Sequence, residues 1–351
     1  MLSVTNKFEV LPNELFIVVC SYMLPHEILY AFSTLSYRYN QLVRLFIEQI
    51  DLTNVLLSAP SSIYFALLLD YRFDIRSLKL NSSYLNTILA SGLMYPNMKC
   101  ICVIEDDPSY SDVNIVPYME IFSRLNSLTL KLQTRAKVYQ SNDLKICEHF
   151  FREECMLETL IIKNTLTWID ARIMTPCEHL KYLTITLPDM LDIYILLNKL
   201  PLIEFLCVDK LVANGLLGNR KIINYETQQR ELPPIKLIYE TCLQEFKLHE
   251  ATVNYEELKA LLKQLKVLKR LSLINIDCIY HLIDGEELEQ GFLTELKQLN
   301  KFNFRFESRA RLLPVAPDYA ATFQSPYWTE RGWNVQCSSL GWRIWLATLE
   351  T

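Results

Sequence analysis

The chain predicts an α/β protein built as a curved solenoid, with a parallel sheet on its concave side and helices on its convex side. Three observations carry that reading. A phrase with apolar residues at its first, fourth and sixth places recurs at Ile75–Leu80, Met98–Val103, Leu125–Leu130, Leu157–Ile162, Leu180–Ile185, Ile203–Val208, Leu243–Leu248, Leu268–Leu273 and Leu299–Phe304. The phrase starts are 23 and 27 residues apart at first and 40 apart at the widest, a period that marks stacked repeats. Helical periodicity lies between the phrases, most clearly over Tyr255–Leu265, where Leu258, Leu261, Leu262 and Leu265 follow the i, i+3, i+4, i+7 rule behind Asn254 as a cap. Within each phrase the last two apolar places share one face of a short strand. One strand alone cannot cover that face, so neighbouring copies must stack.

Composition agrees with a fully folded repeat protein. The 351 residues are 50% apolar and 21% charged with only 7 glycines, and a solenoid grows by adding layers without outgrowing a single core. A formal net charge of −5 gives no signal for nucleic acid. Met1–Val10 lacks the layout of a secretory leader, and no stretch approaches the roughly 18 uninterrupted apolar residues of a membrane span. The ten cysteines are scattered, apart from Cys100 and Cys102, and form no CxxC pair. That usage points to buried apolar thiols in a reducing compartment, cytoplasmic or nuclear. No cofactor and no metal site is expected.

Residues 8–46 differ from the rest. Leu11-Pro12-Asn13-Glu14-Leu15 sets proline at a helix start with an acid in the first turn, and Leu15, Phe16, Val18, Val19 and Tyr22 follow at helical spacing. Leu24-Pro25-His26-Glu27 repeats the start, Ile28, Leu29, Ala31, Phe32 and Leu35 continue a second helix, and Ser36–Phe46 reads as a third. This stretch resembles an F-box, the helical module that docks to the Skp adaptor of cullin-RING ubiquitin ligases, and the phrases behind it resemble leucine-rich repeats. The resemblance rests on Leu11-Pro12 with Glu14 and Leu15, on Leu24-Pro25 with Ile28 and Leu29, and on Ser36-Tyr37-Arg38-Tyr39-Asn40. It departs where the family often has Cys-Arg-Trp, since Tyr39 follows Arg38. It implies that Leu11, Pro12, Glu14, Leu15, Leu24, Pro25, Ile28 and Leu29 meet the adaptor. The other reading is an amphipathic cap, which would bury Leu11, Pro12, Leu15 and Ile28 against the repeats, whereas docking would leave much of that set open.

The expected organisation is therefore an F-box at 1–46, an irregular leucine-rich-repeat solenoid at 47–310 and an aromatic-rich cap at 311–351. Further helices are expected at Ser62–Leu69, Pro117–Leu125, Asn142–Glu154 and Met190–Leu200, with an insertion around Asn214–Pro234. Asn54, Asn164 and Asn275 share one offset after the strand, but most copies lack asparagine there, so the turns must satisfy their backbone otherwise. Trp328, Trp333, Trp342 and Trp345 gather in the tail, either to seal the solenoid or to anchor a partner.

Chemistry is sparse. The five histidines stand far apart, and no HExxH, GxSxG or glycine-rich phosphate loop occurs, so no catalytic residue is expected. The third, fifth and seventh places of each phrase should line the concave face. There Lys79, Lys131, Lys163, Lys247, Arg270, Lys301 and Arg305 outnumber Asp51, Asp209 and Glu245, with Tyr182 and Phe205 between them. The expected function is that of a substrate-recognition subunit of an SCF-type ubiquitin ligase. The Skp adaptor and cullin core would sit on the helices, and a target protein with an acidic or phosphorylated segment would sit on the repeats. A leucine-rich-repeat scaffold unconnected with ubiquitin is the alternative. Neither nucleic acid nor membrane is expected as a partner.

Overall fold

A computed structural model describes residues 10–55, 61–89, 95–105, 115–132, 149–164, 171–211, 236–238, 240–278, 283–309, 319–340 and 343–348. The chain is mixed α/β, its strands mostly parallel, and it divides into two compact units, 1–133 and 134–351. The expected insertion around Asn214–Pro234, most of Asn142–Glu154, and Trp342 lie outside the described residues.

In the first unit, α1 (Asn13–Cys20), α2 (Pro25–Phe32) and α3 (Tyr37–Val43) precede the parallel strands β1 (Gln49–Asp51), β2 (Ser77–Asn81), β3 (Cys100–Ile104) and β4 (Ser127–Leu132). Between the strands run α4 (Ser61–Asp70), α5 (Ser82–Leu89) and α6 (Met119–Phe122). The register has no stagger: Ile50 pairs with Leu78, Leu78 with Ile101, and Ile101 with Leu128. Each phrase thus stacks its apolar places on those of the next. Ile50, Leu78, Leu80, Ile101, Val103, Leu128 and Leu130 are all buried, each worth roughly 1.5–3 kcal/mol of transfer free energy.

Proline sets the helix starts. Pro12 is the N-cap of α1 and Pro25 is the first residue of α2, where a missing N–H costs nothing. The Glu27 carboxylate accepts the Leu24 N–H at 2.9 Å, and Ser36 Oγ accepts the Tyr39 N–H at the start of α3. Arg38 ties α3 to the start of α1 by donating to the Leu11 carbonyl and to Asn13 Oδ1. The three helices meet on Phe16, Phe32 and Tyr39, with ring centroids 4.8–6.2 Å apart.

Where the turns after the strands lack asparagine at the shared offset, other side chains reach one layer back. Asn81 Nδ2 donates to the Thr53 carbonyl at 3.1 Å and Asn97 Nδ2 to that of Phe73 at 2.6 Å. Tyr84 Oη donates to Val55 O at 2.6 Å, and Tyr118 Oη to Asn86 Oδ1. These bonds span 24 to 32 residues, so the carbonyls of Thr53, Val55 and Phe73 find partners in the neighbouring layer.

In the second unit, β5 (Thr159–Asn164), β6 (Tyr182–Leu187), β7 (Phe205–Leu211), β8 (Glu245–Val253), β9 (Arg270–Cys278) and β10 (Lys301–Arg309) form the parallel ladder. Helices α7 (Met190–Lys199), α8 (Tyr255–Leu262), α9 (Gly285–Gly291) and α10 (Pro326–Glu330) accompany it. One register row runs Tyr182, Phe205, Glu245, Arg270, Lys301. The cap of α8 is the expected one: Asn254 Oδ1 accepts the Glu256 N–H at 2.9 Å, and Leu258, Leu261, Leu262 and Leu265 are buried. The expected long helix at Pro117–Leu125 is reduced to a 3-10 turn and α6, because Ser123 Oγ bonds back to the Glu120 carbonyl and ends it.

The strands are longer than the phrases, since extra residues carry them past the sixth place. Val208 pairs with Ile185 and Lys210 with Thr186, which leaves Asp209 as an inserted residue in β7. Glu250 in β8 and Asn275 in β9 are bulged in the left-handed region, at φ 45° and 57°. Asn275 therefore lies inside a strand, where the sequence places it in a turn. At the end of the ladder β12 (Arg343–Thr348) runs antiparallel to β10, and β11 (Val335–Leu340) antiparallel to β12. Trp328 is fully buried among Phe302, Phe304, Phe323 and Trp333 and donates to the Gly285 carbonyl at 3.2 Å. Among the described tail residues, aromatic side chains thus pack against their own ladder.

Candidate functional site

Helix α1 is apolar on nearly every side, and only the i, i+4 pair Phe16 and Cys20 turns inward. Leu15, Ile17, Val18 and Val19 are 53%, 39%, 53% and 42% exposed, and Val10, Tyr22, Leu24, Tyr30 and Tyr37 are exposed beside them. A single helix cannot bury two opposite faces in one core, so the rest of the α1 apolar set is left at the surface. Of the residues the sequence assigns to adaptor docking, Pro12, Glu14, Leu15 and Leu24 are exposed, and Leu11 and Pro25 are half-buried. Ile28 and Leu29 are not at the surface. They are 1% and 0% exposed, because α2 turns that stripe onto its own unit, and they hold the helices in place from beneath.

The nine residues assigned to the concave face all sit at the outward places of their strands, half-buried or exposed, while the alternate places are buried. They do not all present free charge. Lys79 Nζ binds Asp51 Oδ2 at 2.6 Å. Burial alone would raise the Asp51 carboxyl, but hydrogen bonds from Lys79 and Thr53 outweigh it and hold it below the usual carboxylate range. Glu245 binds both Lys247, at 2.9 Å, and Arg270. Lys247 also lies 5.1 Å from the centroid of Phe205, whose ring faces that of Tyr182 at 6.4 Å. The seven-to-three excess of basic groups therefore reduces to Lys131, Lys163, Lys301 and Arg305, for which the described residues supply no ion pair. Acidic neighbours on the same strand face account for the difference.

The bulged ends of β7 and β8 bring together a group that linear spacing hides. Cys207, Asp209 and His249 present Sγ, a carboxylate oxygen and an imidazole nitrogen within 4.8 Å of one another. His249 Nδ1 is 3.8 Å from Asp209 Oδ1. Asp209 and His249 line a cleft of about 180 Å³ with Thr186, Lys210, Glu250, Ile274 and Asn275, while Cys207 is buried beneath them. Burial pushes the Cys207 thiol up to about 11, with Asp209 adding to the effect, against smaller opposing influences from Lys163, Lys247 and a hydrogen bond from Thr184. Burial also lowers His249, although Asp209 pulls the other way. Asp209 and His249 are recognisable from sequence as outward strand positions and Cys207 as the strand residue two before Asp209. Their meeting depends on pairing across a gap of about forty residues.

The nine described cysteines are free thiols. No helix among the described residues is long and apolar enough to cross a membrane. No protein-family model matches the chain, and no curated protein matches it.

Proposed function

We propose that this protein is the substrate-recognition subunit of a cullin-RING ubiquitin ligase, with α1 to α3 as an F-box that docks to the Skp adaptor and the repeat strands as the target-holding surface of a curved solenoid. The observation that carries the reading is α1, whose Leu15, Val18 and Val19 stand open beside exposed Pro12 and Leu24. An apolar helix left uncovered at the front of a repeat protein fits an adaptor groove, where burial yields about 25 cal/mol per Å². Tyr39, in the place of the family's tryptophan, is fully buried on Phe16 and Phe32, so an aromatic still fills the middle of the helices.

Such a subunit performs no bond chemistry. It raises the effective concentration of target lysines near the ubiquitin-carrying enzyme by tethering. Lys131, Lys163, Lys301 and Arg305 would attract an acidic or phosphorylated segment of the target, with Tyr182 and Phe205 supplying flat apolar contact. A second reading is a leucine-rich-repeat scaffold in which the helices only cap the first layer. Burial of Ile28 and Leu29 favours it; the open flank of α1 speaks against it.

Pull-down of the purified full chain with the Skp adaptor tests the proposal. Wild type is expected to retain the adaptor, and Leu11→Ala combined with Pro12→Ala to retain several-fold less. A folded wild type that retains none leaves the scaffold reading.

A further inference from the structure

We propose that Cys207, Asp209 and His249 form a binding site for a zinc-class divalent metal ion at the bulged ends of β7 and β8. The inference stands apart from adaptor docking, since it uses neither α1 nor the charged row of the ladder.

The ligand set decides the kind of ion. A thiolate and an imidazole favour zinc and its neighbours over magnesium or calcium, which take oxygen ligands, and cysteine, aspartate and histidine are the three side chains zinc uses most. The geometry is close to what coordination needs. With bonds of roughly 2.0 Å to nitrogen or oxygen and 2.3 Å to sulfur, ligand atoms on a tetrahedral ion lie about 3.3–3.6 Å apart. The three atoms here are within 4.8 Å, and the Asp209–His249 separation is 3.8 Å. Side-chain rotations of about an ångström close the triangle. The backbone has already done the harder part, because Val208 pairs with Leu248, which brings Asp209 and His249, the next residues of β7 and β8, side by side, with Cys207 two residues before Asp209.

Charge balance supports the same ion. The thiolate and the carboxylate together cancel a divalent charge, and the imidazole adds a nitrogen lone pair without adding charge. In the metal-free chain Cys207 is a thiol, so binding breaks its S–H bond, forms a metal–sulfur bond and releases the proton to water. The nearby cations are partly engaged: Lys247 with Glu245 at 2.9 Å and Lys210 with Glu250 at 3.3 Å. Lys163 has no ion pair among the described residues. Two of the three ligands, Asp209 and His249, line the cleft, so an ion held there would keep a side open to solvent.

The same residues do not make a nucleophilic triad. Cys207 is only 5% exposed, its thiol is held near 11, and its hydrogen-bonding partner is Thr184. A catalytic cysteine needs the opposite: access, a lowered value and contact with the base.

Cobalt(II) titration of the chelator-stripped full chain tests the site, because thiolate ligation gives a near-ultraviolet charge-transfer band and four-coordination gives visible bands. One equivalent is expected to bind with both signals, and zinc(II) to displace it. Cys207→Ser should abolish the charge-transfer band. Asp209→Asn and His249→Gln should each weaken binding more than about 100-fold, since even outer-shell changes cost roughly 10–100-fold. Cys242→Ser, at an exposed cysteine elsewhere, should change nothing. Far-ultraviolet circular dichroism checks that each variant folds. If Cys207→Ser does not, the Asp209 and His249 variants decide. No charge-transfer band in wild type, a band that survives Cys207→Ser and so arises at Cys100 and Cys102, or unchanged affinity in both other variants would overturn the assignment.

Discussion

Tyr39 fills the centre of the N-terminal helices with a ring that is fully buried, yet its hydroxyl finds no hydrogen-bond partner among the described residues. A buried unsatisfied hydroxyl costs about 1–3 kcal/mol, while the ring itself packs as phenylalanine would. Tyr39→Phe is therefore expected to raise the denaturant midpoint, equivalent to about 1 kcal/mol; an equal loss of stability would mean that the hydroxyl is bonded. Single residues also show where sequence reasoning runs out. Ile28 and Val18 are both apolar and both lie on short helices, and one is core while the other is surface. Hydropathy cannot separate them, because α1 carries apolar groups around its whole circumference and the choice of inner face is made by what packs beneath. Lys247 and Arg270 are similar: their outward placement follows from strand alternation, but their neutralisation by Glu245 depends on which strand lies next to which.

Strands and helices were more readable than single contacts. The phrase with apolar residues at places four and six marks the nine ladder strands β2 to β10, since a period of two with one buried face is a strong signature. Asn254 announced the start of α8 for an equally local reason. The bulges left no such trace. Along β9 the burial alternates, pauses at Asn275 and resumes, and the extra residue reads in sequence as the end of a strand. At φ 57° asparagine is among the few side chains that tolerate the left-handed region, whereas a β-branched residue pays about 1–2 kcal/mol there. Asn275→Val is expected to destabilise the second unit by that amount in a denaturant melt, and Asn275→Gly to leave it nearly unchanged. Equal stability of the two variants would show that the bulge relaxes into a regular strand.

On the scale of the whole molecule, both units repeat the same construction, parallel strands with their apolar places aligned and helices between them, the second unit adding bulges past the sixth place. That construction was readable because each layer needs the next to cover its apolar face. The site was readable in part: the exposed apolar flank of α1 lies in the stretch on which the resemblance rests, while the cysteine–aspartate–histidine group depends on pairing between strands whose phrases start 40 residues apart. The central claim is that α1 to α3 hold the Skp adaptor by apolar burial. Calorimetric titration of the adaptor into the folded full chain measures this directly. The expected result is one-to-one binding with a negative heat-capacity change, lost when Leu15→Asp and Val18→Asp are combined; no heat from wild type, or the same affinity in the double variant, would contradict it.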